Sequence, residues 1–382
     1  MSRLALLGAL AVAALALPAS ADATTNVKVM SRNVYLGADL TAGTNAKSLQ
    51  ALINAAGVVL NEVDANKYPV RAKGLAAEIR NKGPHLVGLQ EASLWRTAPC
   101  TENPIPPKAT KVRYDYIKRL LAELNAGEQQ VYRLVISKPE FDFEIQANTD
   151  GNESTHAPGC GGGAELNVRL TMRDAILAKV GSNVTTTGAK SGTFGTLLQV
   201  RPSGFPVNVT RGWNAVDAKV GQSKVFRFVN THFEAFDSAK TGNHTNKGTD
   251  VNRGKVREAQ AMELIKKPGG PATGPRVIVV GDLNSDRNSV PRPGDKLAYN
   301  AMLAGGFFER STNNPFGCCL KASLITANGG GKVSDFDHQV DHVMTNAPNA
   351  IKLLGSSVTG RQPVNGFFDS DHGGLFSSLS AP

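Results

Sequence analysis

The chain has 382 residues, 41% of them hydrophobic, a formal net charge of +10 and four cysteines. Length and apolar content suffice for one or two packed domains and exclude a largely disordered chain, which lacks the surface to bury. The basic balance favours polyanionic partners such as nucleic acid, anionic lipid or polyphosphate, yet it comes from scattered charges and one loose cluster from Lys240 to Arg257.

The N-terminus opens Met1-Ser-Arg3, runs almost wholly apolar from Leu4 to Leu17, and continues Pro18-Ala-Ser-Ala21. This pattern predicts a secretory signal peptide over residues 1–21 with cleavage near 21–23, and so a secreted or extracytoplasmic protein, periplasmic in a Gram-negative cell. No later stretch approaches the ~20 apolar residues of a spanning helix, so a soluble mature chain without stable membrane insertion is expected. The alternating run Val27 to Asn33 predicts a strand that ends in an amide. Residues 46–80 have helical spacing, which Pro69 breaks in two. His85 to Glu91 is an apolar run ending in a carboxylate. A Pro-rich loop is expected from Thr97 to Lys111, then a helix from Lys111 to Ala126 on the spacing of Tyr114, Ile117, Leu120, Leu121 and Leu124. A loop follows from Asn148 to Glu165, and Met172 to Leu177 reads as a strand carrying Asp174.

Val225 to His232 alternates and ends in an imidazole. A helix is expected over residues 251–267, stopped by Pro268-Gly-Gly-Pro271. The string Arg276 to Asp286, RVIVVGDLNSD, reads as a buried strand whose end carries Asp282 and Asn284. A loop from Thr312 to Lys332 holds Cys318-Cys319. His338 to Met344 places Asp341 inside an apolar strand, and Ser370-Asp371-His372 lies near the C-terminus. Export permits disulfides. Cys100 and Cys160 lie in loops flanking the same helix and strand and are paired first, but three connectivities remain open. There is no CxxC or HExxH, so a zinc site has little support. Periodicity alone establishes an α/β protein.

The polar strand ends collect Asn33, Glu91, His232, Asp282, Asn284, Asp341, Asp371 and His372. Hard oxygen donors suit Mg²⁺, Mn²⁺ or Ca²⁺, and amides and imidazoles suit phosphate oxygens. An Asp beside a His fixes the tautomer and favours the protonated ring. The set fits metal-assisted hydrolysis of a phosphoester. Each residue also has a structural reading: Asn33 as a turn amide, Glu91 as a cap, His232 as a satisfied core histidine. His338 and His342, flanking Asp341, are read first as structural. A site drawn from both Asn33 and His372 requires one unit, so residues 24–382 are expected to form a single catalytic domain.

The order Asn33, Gln90-Glu91, Asn230-Thr-His232, Gly281-Asp-Leu-Asn284, Val340-Asp-His342, Ser370-Asp-His372 resembles the endonuclease/exonuclease/phosphatase superfamily, the deoxyribonuclease I-like group. The likeness spans Val27 to Leu379 and is strongest to its secreted bacterial branch. It implies a four-layer sandwich of two packed mixed β-sheets flanked by helices. It implies Glu91, Asn33 and Asp371 at a Mg²⁺ (or Mn²⁺ or Ca²⁺), Asp282 acting on the attacking water, and Asn284 on a phosphoryl oxygen. His372 would contact phosphate with Asp341 as its partner, and His232 would act as an acid or charge stabiliser that also touches substrate. Asp174 stands where the family often carries Asn; a substrate, metal or His-partner role is open, as is a structural one. The implied activity is a phosphodiesterase, first a nuclease acting as a monomer on nucleic acid. The alternatives are a sphingomyelinase or phospholipase C-like enzyme on anionic or choline phospholipid, an inositol-phosphate type phosphomonoesterase, and an inactive binding module. The sphingomyelinase branch enters membranes with an aromatic hairpin, for which only Trp95 and Trp213 are available.

Overall fold

The computed structural model describes residues 24–100, 108–127, 129–181, 183–236, 254–266, 270–287, 296–312, 316–320, 324 and 330–382. The signal-peptide segment and most of the basic cluster after Lys240 lie outside the described residues. Two mixed sheets stack face to face. The first runs Lys352–Thr359, Gly374–Ala381, Thr25–Asn33, Leu86–Gln90, Leu166–Lys179, Leu94–Pro99, Lys111–Asp115, with Tyr132–Ala147 also paired to Leu166–Lys179. The second runs Phe308–Glu309, Asp341–Thr345, Val277–Asp282, Phe226–His232, Gly212–Val220, Val184–Thr193. One pair in each is parallel: Thr25–Asn33 with Leu86–Gln90, and Phe226–His232 with Val277–Asp282.

Strand alternation sorts the core into layers. Val27, Val29, Leu86, Ile176, Phe226, Phe228, Ile278, Val280 and Val343 meet between the sheets. The opposite faces carry the helices. Met30, Val87, Leu89 and Leu177 pack on Leu60, Val63, Leu75, Ile79 and Leu120. Val229, Val277, Val279 and Met344 pack on Ala261, Leu264, Ala298 and Met302. The result is the four-layer sandwich expected from the resemblance.

Several boundaries differ from expectation. The helices are Leu49–Ala65 and Tyr68–Lys82. Pro69 falls in the first turn of the second, where its missing N–H costs nothing, so it begins that helix rather than breaking one. The helix expected from Lys111 starts only at Tyr116, with Asp115 accepting from the Lys118 backbone N–H as its N-cap. Lys111–Asp115 is instead a strand paired with Leu94–Pro99, whose last three residues fall in the expected loop. The helix placed over residues 251–267 is described as Lys255–Lys266. Residues 148–165 are irregular, as expected, and are tied down by a Cys100–Cys160 disulfide. Cys318 and Cys319 are bonded to each other, which fixes the connectivity.

The sheets approach closely at Gly88. A Cβ there would lie 2.4 Å from Asn230 Oδ1 and 2.5 Å from Val280 Cγ2. Gly88→Ala should therefore lower unfolding stability by about 1–3 kcal/mol through overpacking. Chemical denaturation reads this directly; an unchanged midpoint would contradict so close an approach.

Candidate active site

The polar groups stand at one end of the rows that face between the sheets. Ile278 and Val280 lead to Asp282, Phe226 and Phe228 lead through Asn230 to His232, and Val343 precedes back to Asp341. Cross-strand register then sets His232 beside Asp282 and Asp282 beside Asp341. In the facing sheet, Val27 and Val29 lead to Asn33, which pairs in register with Gln90 just before Glu91. His372 arrives from the segment before Gly374–Ala381.

The contacts close a ring. Asn33 Nδ2 donates to Glu91 Oε1 at 3.2 Å and to Asp282 Oδ2 at 3.0 Å. Its Oδ1 accepts from the Tyr35 backbone N–H at 2.9 Å. The amide thus presents N–H to the site and bridges two carboxylates, rather than offering an oxygen to a cation as expected. Glu91 Oε2 accepts from Leu36 N at 2.8 Å. Asn284 N donates to Asp282 Oδ1 at 2.8 Å, and its side-chain amide lies 3.1 Å from His232 Nε2. His372 Nδ1 is 2.8 Å from Asp341 Oδ2, and Nε2 is 3.6 Å from Asp282 Oδ2.

Charge is crowded here. Burial alone would lower the His372 pKa, but Asp341, Asp282 and Asp371 raise it well above the usual value, which favours the charged ring. Burial raises Asp282, with Asp341 adding to the effect and His372 opposing it. Burial likewise raises Asp371 to about 7, opposed by His372 and reinforced by Glu91 and Asp282. A set of oxygen donors that burial, and after it their own repulsion, pushes towards protonation fits a hard divalent cation. Asp282, Asp341 and His372 present ligand atoms within 4.8 Å of one another.

His232 is treated differently. Arg211 Nη1 stands 3.2 Å from its Nδ1. A guanidinium only donates, so Nδ1 accepts; Nε2 has the Asn284 amide nitrogen at 3.1 Å, with Asp282 Oδ2 at 3.7 Å and Glu91 Oε1 at 4.0 Å beyond it. Asp174 is fully buried beside Glu140, Arg211 and Glu91, whose backbone N–H approaches it. It thus borders both the Arg211 group and, through Glu91, the ring around Asp282. His342 points to the outer face, bonded to Glu309 at 2.7 Å and Ser285 O at 2.9 Å. His338 pairs with Asp337.

Sequence reasoning missed the arginines that hold the site. Arg32 binds Glu78 at 2.9 Å and donates to the His372 carbonyl. Arg71 donates to the carbonyls of Val34 and Asp369, both at 2.9 Å. Their only signal is position: each falls at a buried place in its element.

The sequence profile of the Endonuclease/Exonuclease/phosphatase family matches residues 33–372. Among solved structures the chain is similar to an endonuclease/exonuclease/phosphatase family protein from Bacteroides thetaiotaomicron, at 15% identity and TM-score 0.51, covering 94% of this chain and 99% of that one. It is similar to the endonuclease/exonuclease/phosphatase from Beutenbergia cavernae at 17% and 0.50, covering 93% and 72%. It is similar to a mannosyl-6-phosphatase from B. thetaiotaomicron at 15% and 0.47, covering 92% and 99%. At these identities the likeness is one of fold. No curated protein matches the chain in sequence.

Burial raises the Glu140 carboxyl from 4.5 to about 8, against the lowering effect of Arg211. Its stabilising contribution is complete below 4.5 and lost as pH rises through about 8. Glu140→Gln cannot ionise. Its melting temperature, measured in chelator, should therefore gain on the parent's as pH rises across that window; a constant difference would place an ionised Glu140 in the fold.

Proposed function

The chain belongs to the endonuclease/exonuclease/phosphatase family, whose members are phosphoester hydrolases, and on that premise we propose an exported, divalent-metal-dependent phosphodiesterase whose first substrate is nucleic acid. The observation that carries this reading is the meeting of Glu91, Asp282 and Asp371 with a His372 imidazolium clamped by Asp341. Glu91 and Asp371 would hold the cation, Mg²⁺ or in its place Mn²⁺ or Ca²⁺. When bound, it would polarise a phosphoryl oxygen and offset charge at phosphorus.

The chain's own groups do the rest. Asp282, steadied by the Asn33 amide and the Asn284 backbone N–H, orients water and takes its proton as the water oxygen attacks phosphorus and the P–O bond to the leaving oxygen breaks. His372 has committed Nδ1–H to Asp341, so Nε2–H and the ring's charge serve a phosphoryl oxygen. Asn284 offers its amide to another. His232, with Arg211 at Nδ1 and the Asn284 amide at Nε2, would stand towards the charge that develops on the leaving side.

Nucleic acid is favoured over a choline phospholipid on two grounds. The net charge of +10 suits a polyanion. Both tryptophans are used inside the fold: Trp95 is buried and donates to Leu36 O at 2.9 Å, and the Trp213 ring lies against Gly192.

Purified protein should cleave plasmid DNA with Mg²⁺ or Mn²⁺ and stop on chelation. RNA, sphingomyelin micelles and bis-(p-nitrophenyl) phosphate complete the panel. Cleavage of sphingomyelin alone moves the substrate to lipid, and inactivity on all four favours a binding module. Asp282→Asn and His372→Ala should each lower kcat by at least ~100-fold, since each removes a group acting in the transition state. A near-parental rate in either excludes that residue from the chemistry.

A further inference from the structure

Cys318 and Cys319 have no part in the hydrolysis above, yet both sulfurs sit on the catalytic ring. Each Sγ lies 3.7 Å from His372 Nε2. Cys318 and His372 are buried and Cys319 is partly so. The position is built rather than incidental. Leu320 N donates to Asp371 O at 3.0 Å and Gly373 N to Gly317 O at 2.6 Å, which stitches the cysteine segment to both sides of His372. Asp337 N and His338 N both donate to Cys318 O at 2.8 Å, which fixes the other side.

We propose that the reduced Cys318–Cys319 pair and His372 Nε2 form a second, soft-cation site, which takes Zn²⁺ and removes His372 from phosphate binding. Two thiolates and an imidazole are the donors zinc prefers, in contrast to the oxygen-only set beside them. The three ligand atoms already lie within 4.8 Å of one another. The imidazole is prepared for the role: Nδ1 is held by Asp341 at 2.8 Å, the carboxylate–histidine arrangement that orients metal-binding rings and strengthens the free nitrogen.

The chemistry balances with a dithiol reductant. Two electrons and two protons pass from the dithiol to the Cys318–Cys319 bond, giving two thiols and a cyclic disulfide. Zn²⁺ then displaces three protons, one from each thiol and one from Nε2 of the imidazolium. A disulfide oxidant reverses the change: it takes two electrons from the thiolates and two protons from solvent to give two thiols, while the cation leaves and Nε2 regains its proton. The oxidised pair lacks thiolates and leaves Nε2–H to substrate, so one bond decides whether the histidine serves phosphate or a soft metal. The inhibitory consequence rests on the proposed hydrolysis; the metal site does not.

The test uses Co²⁺ as the probe, because thiolate ligation gives a near-ultraviolet charge-transfer band whether or not the protein hydrolyses anything. Oxidised full-length chain should show no band. After reduction by a dithiol and anaerobic desalting, one equivalent of Co²⁺ should give the band and Zn²⁺ should bleach it. Cys318→Ser/Cys319→Ser should lose it. Cys100→Ser/Cys160→Ser should keep it; should that variant not fold, parent protein reduced until mass spectrometry finds only Cys318 and Cys319 alkylated takes its place. Asp341→Asn should weaken cobalt binding by about 10–100-fold. No band in the folded reduced chain, a band that survives loss of Cys318 and Cys319, or a pair that yields to the reductant only on unfolding would each overturn the site. If hydrolysis is found, Zn²⁺ should inhibit the reduced form and spare the oxidised one at the same concentration. Equal inhibition of both would overturn the switch and leave the hydrolase standing.

Discussion

Gln90 donates to Asn230 Oδ1 at 2.6 Å, and Asn230 returns its own amide across the gap to Leu89 O at 2.9 Å and Ala175 O at 3.2 Å. This bridge lies in the interior of an otherwise apolar sandwich. Apolar contacts are non-directional and would tolerate one sheet sliding on the other. Three buried hydrogen bonds would not, since each polar group left unsatisfied costs about 1–3 kcal/mol. Gln90 immediately precedes Glu91, and Asn230 stands two residues before His232. Locking the amides together therefore locks the carboxylate of one sheet against the imidazole of the other. The residues of the candidate site have their mutual positions because the core beneath them has a single register.

With that register fixed, the surroundings of each group decide its charge. Two imidazoles end up at the same end of the sandwich with opposite characters. His372 has a carboxylate at Nδ1 and carboxyls beyond Nε2, so it carries a charge despite burial. His232 has a guanidinium at Nδ1, which no accessible pH removes. One ring is pushed towards its charged form by carboxylates and the other stands among donors. Arg211 is itself supported against the cost of burial first by Glu234, with Glu91 adding to the effect. The carboxyls behind the site thus support the arginine that holds one histidine's Nδ1.

The strands that build the site were legible because the inter-sheet rows are apolar to their last residues and then polar. The period of two survives in a single sequence, and the end of the row is visible as Asn33, Glu91, His232 or Asp282. The layer architecture was not legible from periodicity; it came from the order of the short polar motifs. Lys111–Asp115 was read as helix because Tyr114 has the correct spacing to Ile117, while its cross-strand partner Trp95 is invisible to a local window. Pro69 was misjudged because a proline marks a boundary without saying which side of it the helix lies on. Arg32, Arg71 and Arg211 escaped notice since a charged residue at a core position looks like an irregularity until the carbonyls, carboxylates and ring nitrogen it serves are in place.

The strand exits show why stability and chemistry share residues here. Tyr35, Glu91 and Asn284 have φ of 57°, 57° and 47°, a region that non-glycine residues enter at about 1–3 kcal/mol each. A sharp turn at that point keeps the last polar side chain over the end of the sandwich while the backbone leaves it. The turns are held by the functional groups themselves. Asn33 Oδ1 accepts from Tyr35 N, Glu91 Oε2 from Leu36 N, and Asp282 Oδ1 from Asn284 N. Arg71 and Arg257 then secure the carbonyls of Tyr35 and Asn284. Each acid therefore spends one oxygen on a backbone turn and keeps the other for the site. A carboxylate so anchored cannot rotate away when a phosphate arrives, which is the pre-organisation that electrostatic catalysis requires.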